Sequence, residues 1–492
     1  MKNMCYSSLS PPTDGAILSV NDIDVNETLA KAKSILEKNK TLPAEVHALV
    51  ELLVLLVSLL VGKLSVNSSN SSIPPSKDPL KNKGKGTKKT TKRMGVKRKA
   101  GAQKGHKGAT LEQVDNPDVI ETLTIDKRSL PQGEYISAGF DTRQIFDVKI
   151  STFVTEYRAE VLEDQYGNQF VAEFPEGIQS HTQYGGSVKA QSVYMSVWQL
   201  IPLMRVSQFF TSQFGMGVSK GSIANFNKAA FKGLEAFDEW AKVQLIRASL
   251  NHADETGINI GGKNHWLHCI SNSDVALFRA DEKRGREAME RMGILENFKG
   301  KLVHDHWKPY YSFDLTHCLC NAHHLRELTW AHEVDGQKWA EKLIKILLQM
   351  NEATQKSKGV LTKDVFKKFR AKYLRVLKAG DIECPLAQKV EGRRGRTKQS
   401  KSRNLLDRLL SFEEDVLRFA TDKEIPFTNN AGENDIRMTK VQQKISGCFR
   451  SKAGADIFCR IRSFLLTCQK QGCNPFTCLE DLFRGNLPDF MK

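Results

Sequence analysis

Residues 250–260 (LNHADETGINI) and 264–272 (NHWLHCISN) carry the pattern that decides the fold, because they are two β-type runs on either side of Gly261-Gly262. A Gly-Gly pair between two such runs predicts a tight β-hairpin. The chain then alternates between short strands and helices. The predicted elements are a strand at 275–280 (VALFRA), a helix at 285–295 (GREAMERMGIL), strands at 301–307 (KLVHDHW) and 317–320 (HCLC), and a helix at 321–333 (NAHHLRELTWAHE).

Three strands, a helix and then strand–helix is the element order of an RNase H-like sheet. The expected fold class is therefore multidomain α+β, with an RNase H-like mixed α/β catalytic core at 246–334 and 425–452. The other predicted regions are an N-terminal helical and candidate oligomerisation segment at 1–66, a basic disordered linker at 67–110, a small β-rich domain at 111–183, helices at 184–245, a helical insertion at 335–424 and a C-terminal helical segment at 453–492.

Three acids occupy positions that such a sheet would bring together. Asp254 lies in the first strand, on the face that period-2 alternation also gives to Leu250 and His252. Asp305 closes an apolar strand, and Glu433 lies near the start of a later helix. Spacing alone is uninformative in a chain with 56 Asp and Glu, so the argument rests on these positions. Taken singly, each acid is equally consistent with a solvated surface residue or a helix cap.

Such an acid cluster needs cations. Two like charges about 4 Å apart repel by roughly 4 kcal/mol at an effective dielectric near 20. Two Mg²⁺ ions reverse that repulsion and support phosphoryl transfer. Oxygen-only ligands favour Mg²⁺ or Mn²⁺ over zinc. Asp254, Asp305 and Glu433 are therefore the candidate catalytic residues and the candidate ligands of two ions.

Positive charge is concentrated in one segment. The chain has a net charge of +17, and residues 74–108 hold 13 Lys or Arg against one acid, Asp78. A local cationic segment indicates a polyanionic partner, either nucleic acid or an acidic membrane surface. The candidate DNA contacts in the linker are Lys88, Lys89, Lys92, Arg93, Lys97, Arg98 and Lys99. Arg437 and Lys444 are further candidates; Arg437 could instead orient Glu433 or form an ordinary intrahelical ion pair with it.

Two helical segments allow alternative interpretations. A run that ends near Phe214 and restarts at Ser219 has the form of a helix-turn-helix, although bundle helices packed on the next domain are at least as consistent. Leu49, Leu52, Leu56 and Leu59 have coiled-coil spacing, but a plain core helix fits equally. The uncharged run around 52–61 is too short to span a bilayer, for which about 20 residues are needed.

Cysteine and histidine positions argue against a structural metal or disulfide framework. The chain has ten cysteines and no CxxC pair, and its N-terminus does not resemble a signal peptide, so a reducing cytoplasm is expected. His317, Cys318, Cys320, His323 and His324 lack the usual zinc-finger spacing, and no metal is predicted there. His252, His304 and His306 beside the aspartates are expected to be strand-end residues, with contact to water or phosphate as the alternative.

Several segments resemble the transposases of the insertion sequence 66 family. The similarity includes the Asn/Ser/Pro linker and GAQKGHKGATL, with Gly101, Gln103, Gly105, His106 and Gly108 at the family's Gly-Gln-x-Gly-His-x-Gly signature. HADETG and LVHDHWKPYY resemble the blocks with the first and second catalytic Asp. CNAHHLREL resembles a Cys-x-Ala-His block, and NNAGENDIRMTKVQQKISGCFRS resembles the block with the catalytic Glu. The shared order of these blocks is the strongest signal.

The resemblance implies metal-dependent cleavage at transposon ends, followed by attack of the freed 3′-OH on target DNA. It also implies double-stranded terminal inverted repeats as substrate, a homo-oligomeric synaptic complex, small accessory proteins of the element and association with the nucleoid, but no membrane. The chain departs from the family in three respects. The family usually carries a cysteine zinc-binding motif after the linker, whereas no cysteine lies between Cys5 and Cys269 here, so the domain at that zinc-ribbon position is expected to be metal-free. His306-Trp307 replaces the usual Gly-Tyr, and His324-Leu325 stands where the family tends to be more basic.

Two functions of different classes follow from these observations. The first is an active DDE-type transposase, a polynucleotidyl transferase. The second is a catalytically inactive DNA-binding derivative, for which the departures are an argument. A third alternative is an RNase H-like nuclease that cuts DNA without joining it. Mg²⁺-dependent cleavage and joining distinguishes all three.

Overall fold

The computed structural model describes residues 43–64, 111–137, 139–148, 150–387 and 397–492, with isolated positions between 19 and 35. The chain divides into two units, one formed by Met1–Lys81 with Glu176–Lys492 and the other by Asn82–Pro175. The structure mixes helices and sheets, which confirms the α+β class at this level. Among the described helices, none has the length and apolar character needed to cross a bilayer.

Four short strands precede the main sheet. Strands β1 (Ser19–Val20) and β2 (Ile23–Asp24) form one antiparallel pair, and β3 (Val161–Glu163) and β4 (Gln169–Val171) form another. Residues 119–125 and 143–150 have β-like sequences within the region expected to be a small β-rich domain, but the described residues of both runs have no regular secondary structure. Leu123 and Ile145 are 89% and 95% exposed, so no other described element covers the apolar side chains of these two runs. A strand is stabilised by cross-strand partners, which the described part of 111–183 provides only in the β3–β4 pair.

A five-stranded mixed sheet forms the centre of the larger unit. Its members are β5 (Leu250–Ile260), β6 (Lys263–Ser271), β7 (Ala276–Asp281), β8 (Lys301–His304) and β9 (Thr316–Leu319). Their order across the sheet is β7-β6-β5-β8-β9. The first three strands are antiparallel, whereas β8 runs parallel to β5 and β9 runs parallel to β8. All five strands predicted in this region are confirmed, and β5 is the middle strand.

The hairpin between β5 and β6 has the predicted two-residue loop. Ile260 pairs with Lys263, and the backbone φ angles of Gly261 and Gly262 are 57° and 84°. Two consecutive positive φ angles match the type I′ turn, whose twist fits antiparallel strands and which glycine adopts without a side-chain penalty. The local sequence is therefore sufficient to explain this connection.

Helices precede the sheet in sequence. They are α1 (Ala44–Leu64), α2 (Gly186–Val193), α3 (Leu203–Phe214), α4 (Lys220–Gly233) and α5 (Glu235–Arg247), with a π-helical turn at Tyr194–Trp198. Ser219 caps α4, because its side chain accepts a hydrogen bond from the Ser222 amide at 3.0 Å. Helix α4 buries Ile223 and Phe226 in the core, as expected for a packing helix. Contact of α3 and α4 with DNA bases stays a prediction.

The remaining helices surround the sheet. They are α6 (Arg286–Met292), α7 (Asn321–Glu333), α8 (Lys338–Lys356), α9 (Lys363–Glu383), α10 (Lys401–Ser411), α11 (Glu413–Leu417), α12 (Asn430–Ser446), α13 (Lys452–Lys470) and α14 (Pro475–Phe483). Two apolar cores form. Leu302 of β8 belongs to the core shared with α13, and Val303 belongs to the core shared with α8 to α11. The described part of the region 335–424 contains helices α8 to α11.

Helix α1 exposes the leucines that have coiled-coil spacing. Leu49, Leu52 and Leu56 are 58%, 52% and 47% exposed. Within the described residues these leucines therefore do not join a core, and the choice between a coiled-coil helix and a core helix stays a prediction. The side chain of Leu59 lies outside the described residues, as does most of the helix predicted before Pro43.

Candidate active site

The register of β5 and β8 sets the two aspartates side by side. Leu250 pairs with Lys301 and His252 with Val303, so Asp254 continues the same register to Asp305, the residue after β8. Neighbouring strands lie about 4.8 Å apart. The Trp307 amide donates a hydrogen bond to Asp305 Oδ1 at 3.0 Å, and the Glu255 amide donates to Asp254 Oδ1 at 2.9 Å. The backbone thus orients both carboxylates.

Helix α12 brings Glu433 to the same strand. Asn429, which precedes this helix, is 1% exposed; its Nδ2 donates to the carbonyl of Ala253 at 2.9 Å, and its Oδ1 lies 2.7 Å from His252 Nδ1. Gly432 allows this close approach, since an added Cβ would lie only 3.2 Å from the Cβ of His252. The Glu433 amide donates to the Asn429 carbonyl at 3.0 Å, which places Glu433 in the first helical turn.

The electrostatics of Asp254 reflect this convergence. Burial is the largest factor that raises its pKa well above the usual value, and the carboxylates of Glu255, Asp305 and Glu433 raise it further. The charges of all three predicted acids therefore act in one place. A set of carboxylate oxygens held against mutual repulsion is suited to hard divalent cations, which take oxygen ligands.

Glu255 is a fourth acid of this region, and its role was not predicted from the sequence. Its side chain is 1% exposed, and its Oε1 accepts hydrogen bonds from Arg284 Nε and Nη2 at 3.0 and 2.7 Å. Tyr310 Oη donates to its Oε2 at 2.6 Å. Burial and then Asp305 raise the pKa of Glu255, against the lowering effects of Tyr310 and Arg284. The only local signal was its position beside Asp254.

Arg284, the partner of Glu255, is held by aromatic rings. Its guanidinium carbon lies 4.6 Å from the ring centroid of Trp266 and 4.1 Å from that of Trp307. A guanidinium over an aromatic face is attracted by the ring quadrupole. Because Trp307 follows Asp305 by two residues, this stack also fixes the segment after β8.

Glu433 has its nearest ion partners on helix α7, not at Arg437 of its own helix. Within the described residues, Glu433 Oε1 lies 3.7 Å from His323 Nδ1 and 3.8 Å from Arg326 Nη2, both on α7. Arg437 lies one turn further along α12, where it is exposed. Among the described ion pairs, the intrahelical pair between Arg437 and Glu433 is absent. Asp435 points to another element and pairs with Lys470 of α13 at 2.9 Å.

Cys320 also approaches Glu433, in the block where the zinc-finger spacing rule predicts no metal. Its Sγ lies 3.8 Å from Glu433 Oε1. One ligand atom each from Cys320, His323 and Glu433 lie within 4.8 Å of one another, a geometry that suits a metal ion. The zinc-finger spacing rule missed this set because the third ligand is more than a hundred residues away in sequence.

The histidines around Asp305 form a packed cluster. His304 Nε2 lies 3.1 Å from His317 Nδ1, and the rings of His306 and Phe412 are 4.6 Å apart. Burial lowers the pKa values of His304, His306, His317 and His324, that of His306 to about 4. These rings are therefore neutral at pH 7. His252 has a different role, because its hydrogen bond with Asn429 positions α12.

Of the candidate DNA contacts, the structure describes two. Arg437 and Lys444 are both exposed on α12, the helix that carries Glu433. The other seven, from Lys88 to Lys99, lie outside the described residues. Lys440, which was not predicted, is also on this helix, where its Nζ donates to the Gly257 carbonyl at 2.6 Å.

Comparison with known proteins locates these features in a protein family. The model described as Transposase IS66 family matches residues 181–457, which is more than half of the 492-residue chain and includes Asp254, Asp305 and Glu433. A second model, for a family of unknown function (DUF6444), matches residues 20–112. No curated protein matches the chain.

Proposed function

Because this chain belongs to the IS66 family of transposases, we propose that it cuts DNA at the ends of its element and joins the freed ends to target DNA. The observation that carries the proposal is the raised pKa of Asp254, on which the charges of Asp305 and Glu433 both act. We further propose that the sheet is an RNase H-like core, since its strand order has the first and fourth core strands side by side.

The carboxylates of Asp254, Asp305 and Glu433 would hold two Mg²⁺ or Mn²⁺ ions. When bound, such ions activate an attacking oxygen and stabilise a leaving oxygen at phosphorus. The donor set fits, because three carboxylates provide only oxygen ligands and because the burial of Asp254 disfavours its charge until a cation is near. Glu255 would act as a positioning residue, since its bonds to Arg284 and Tyr310 fix β5 beside the segment that follows Asp305.

In the proposed reaction, a water oxygen attacks the phosphorus at the element end, the P–O3′ bond breaks, and the 3′-oxygen leaves as a hydroxyl. That 3′-OH then attacks a phosphorus of target DNA and displaces the target's own 3′-oxygen. Lys88, Lys89, Lys92, Arg93, Lys97, Arg98, Lys99, Arg437 and Lys444 are proposed to bind DNA phosphates. A homo-oligomer that holds both ends, the element's accessory proteins and a nucleoid location belong to the same proposal.

The test is a cleavage and joining assay with the full chain, duplex DNA that carries the element's ends, and Mg²⁺. We expect Asp254→Asn, Asp305→Asn and Glu433→Gln each to reduce cleavage by about 10³-fold, which corresponds to roughly 4 kcal/mol of barrier. Salt-sensitive DNA binding should survive in all three variants, because that binding is expected to depend on Lys and Arg side chains, which these substitutions leave in place.

Asp314→Asn is the matched control, because Asp314 is 96% exposed and pairs with Lys299. Cleavage by any of the three variants at the rate of this control would remove that residue from the proposed site. Wild-type protein that binds the ends but never nicks them would instead identify an inactive DNA-binding derivative, for which His306-Trp307 after Asp305 is the supporting observation. Cleavage without joining would identify a nuclease.

A further inference from the structure

Three side chains of different chemistry meet at Glu433 Oε1. Cys320 precedes α7, His323 lies in its first turn, and Glu433 lies in the first turn of α12. The distances to Glu433 Oε1 are 3.8 Å from Cys320 Sγ and 3.7 Å from His323 Nδ1. All three ligand atoms lie within 4.8 Å of one another.

These distances are close to those of a bound tetrahedral ion. Zinc bonds of about 2.3 Å to sulfur and about 2.0 Å to nitrogen or oxygen place neighbouring ligand atoms about 3.3–3.5 Å apart. The two distances to Glu433 Oε1 exceed this by only a few tenths of an ångström. The ligand atoms of Cys320 and His323 are held only to within 4.8 Å of each other, so these two side chains would move closer together when an ion binds, and the fourth position would be left for water.

Hydrogen bonding leaves two of these ligand atoms available. His323 Nδ1 is buried and has no hydrogen-bond partner in the described part of the chain. A buried polar atom without a partner is costly unless something binds it. Cys320 is 1% exposed, and burial raises the pKa of its thiol to about 11; the Asn429 amide, which donates a hydrogen bond to Sγ at 3.1 Å, opposes that rise.

We propose that Cys320, His323 and Glu433 bind one thiophilic divalent cation, Zn²⁺ being the ion that this donor set fits. Sulfur and imidazole ligands select Zn²⁺ over Mg²⁺, which takes oxygen ligands. The thiolate and carboxylate together neutralise the dication. Arg326, 3.8 Å from Glu433 Oε1, would lose its ion partner when the metal binds.

The consequence for activity rests on the proposed function. Glu433 is shared between this site and the proposed Mg²⁺ site, and one carboxylate oxygen cannot serve both geometries at full strength. Zn²⁺ at Cys320 and His323 would withdraw Glu433 from Asp254 and Asp305. Zn²⁺ is therefore an inhibitor of cleavage that acts beside the Mg²⁺ ions rather than in their place.

Binding is tested with Co²⁺, whose spectrum reports both thiolate ligation and tetrahedral geometry. We expect the metal-free full chain to develop a thiolate charge-transfer band and tetrahedral visible bands with one equivalent of Co²⁺, and Zn²⁺ to abolish them. Cys320→Ser and His323→Gln should each weaken Co²⁺ binding by about 100-fold or more, at the upper end of the effect of removing a supporting residue. His323→Gln changes a partly exposed side chain, so it tests the site even if Cys320→Ser does not fold.

Two cysteine variants serve as matched controls. Cys318→Ser removes a buried thiol two residues from Cys320, and Cys478→Ser removes one from the group of neighbouring thiols formed with Cys468 and Cys473. Both controls should keep the full Co²⁺ spectrum. Bands that persist in Cys320→Ser and His323→Gln, or that disappear in Cys478→Ser instead, would overturn the proposal.

Inhibition is measured as the ratio of Mg²⁺-dependent cleavage rates with and without Zn²⁺. We expect at least a tenfold decrease for the wild type and a ratio near one for Cys320→Ser. A wild-type chain with no cleavage at all would contradict the proposed function but not the metal site, because the Co²⁺ spectrum needs no activity.

Discussion

Asp305 and His306 are consecutive residues that belong to clusters of opposite character. Asp305 lies in a cluster of acids. Its charge is one of those that raise the pKa of Asp254 and oppose the ionisation of Asp254. His306 packs against Phe412, Tyr311 and His324, in a cluster where burial lowers every histidine pKa named above. On the proposed function the acid cluster would hold cations, whereas the histidine cluster packs against aromatic rings of the chain itself. The comparison contrasts a group of side chains proposed to bind ions with a group whose burial keeps it neutral.

The largest expected effect concerns the histidine cluster in acid. A histidine whose pKa is lowered on folding stabilises the protein above its unfolded pKa of about 6.5, and this contribution is lost as pH falls through the folded pKa, about 4 for His306. Between these two pKa values, each such histidine lowers the free energy of unfolding by up to about 1.4 kcal/mol for each unit that the pH falls. We expect the free energy of unfolding, measured with urea, to fall by several kcal/mol between pH 6.5 and 4.5.

His306→Asn should reduce this pH dependence, because it removes one titrating ring and Asn tolerates the same backbone. His181→Asn is the matched control, since His181 is exposed and lies outside the cluster. A free energy of unfolding that does not change between pH 6.5 and 4.5 would show that the cluster is not held neutral.

The second prediction concerns the acid cluster without metal. Because folding raises the pKa of Asp254, this residue stabilises the folded protein at pH values below its pKa in the unfolded chain. That stabilisation is lost as the pH rises through the pKa of Asp254 in the folded protein. At pH 7.5 in EDTA, Asp254→Asn should therefore increase the free energy of unfolding by about 1–4 kcal/mol, the repulsion of one or two nearby charges. The melting temperature should rise by about 1 °C for each kcal/mol in a chain of this size.

Mg²⁺ should reverse the order of the melting temperatures of the wild type and Asp254→Asn. It should raise the melting temperature of the wild type and have little effect on Asp254→Asn, because the variant loses a charged ligand. Asp314→Asn, at an exposed position, should behave as the wild type in both buffers. If Asp254→Asn melts below the wild type in EDTA, Asp254 is a structural acid and the contrast between the two clusters is lost.

The smallest expected effect concerns the backbone between the clusters. His306 has a φ of 71°, a left-handed conformation that glycine adopts far more easily than other residues. The resemblance to the IS66 family implies Gly at this position, and the packing of the His306 ring explains how histidine is tolerated. His306→Gly should be more stable than His306→Ala by about 1 kcal/mol, because both lose the ring and only Gly loses the strain. Thermal melts that rank Ala above Gly would refute this account.

Local sequence determined the positions of the five sheet strands, the Gly261-Gly262 turn and helix α7, because each depends on hydrophobic periodicity or turn chemistry within a few residues. The strand alternation also placed Asp254 on its face, and the end of an apolar run located Asp305. Similar alternation at 119–125 and 143–150 was insufficient, since a strand also needs a partner that local sequence does not specify.

Only the tertiary structure decided which side chains meet. Glu433 approaches Cys320 and His323 because α12 and α7 pack near the ends of β5 and β8, and Glu255 pairs with Arg284 across the sheet. The histidines likewise become one neutral cluster only when β8 and β9 are adjacent. Contacts between residues distant in sequence depend on packing of whole elements, and no local periodicity encodes them.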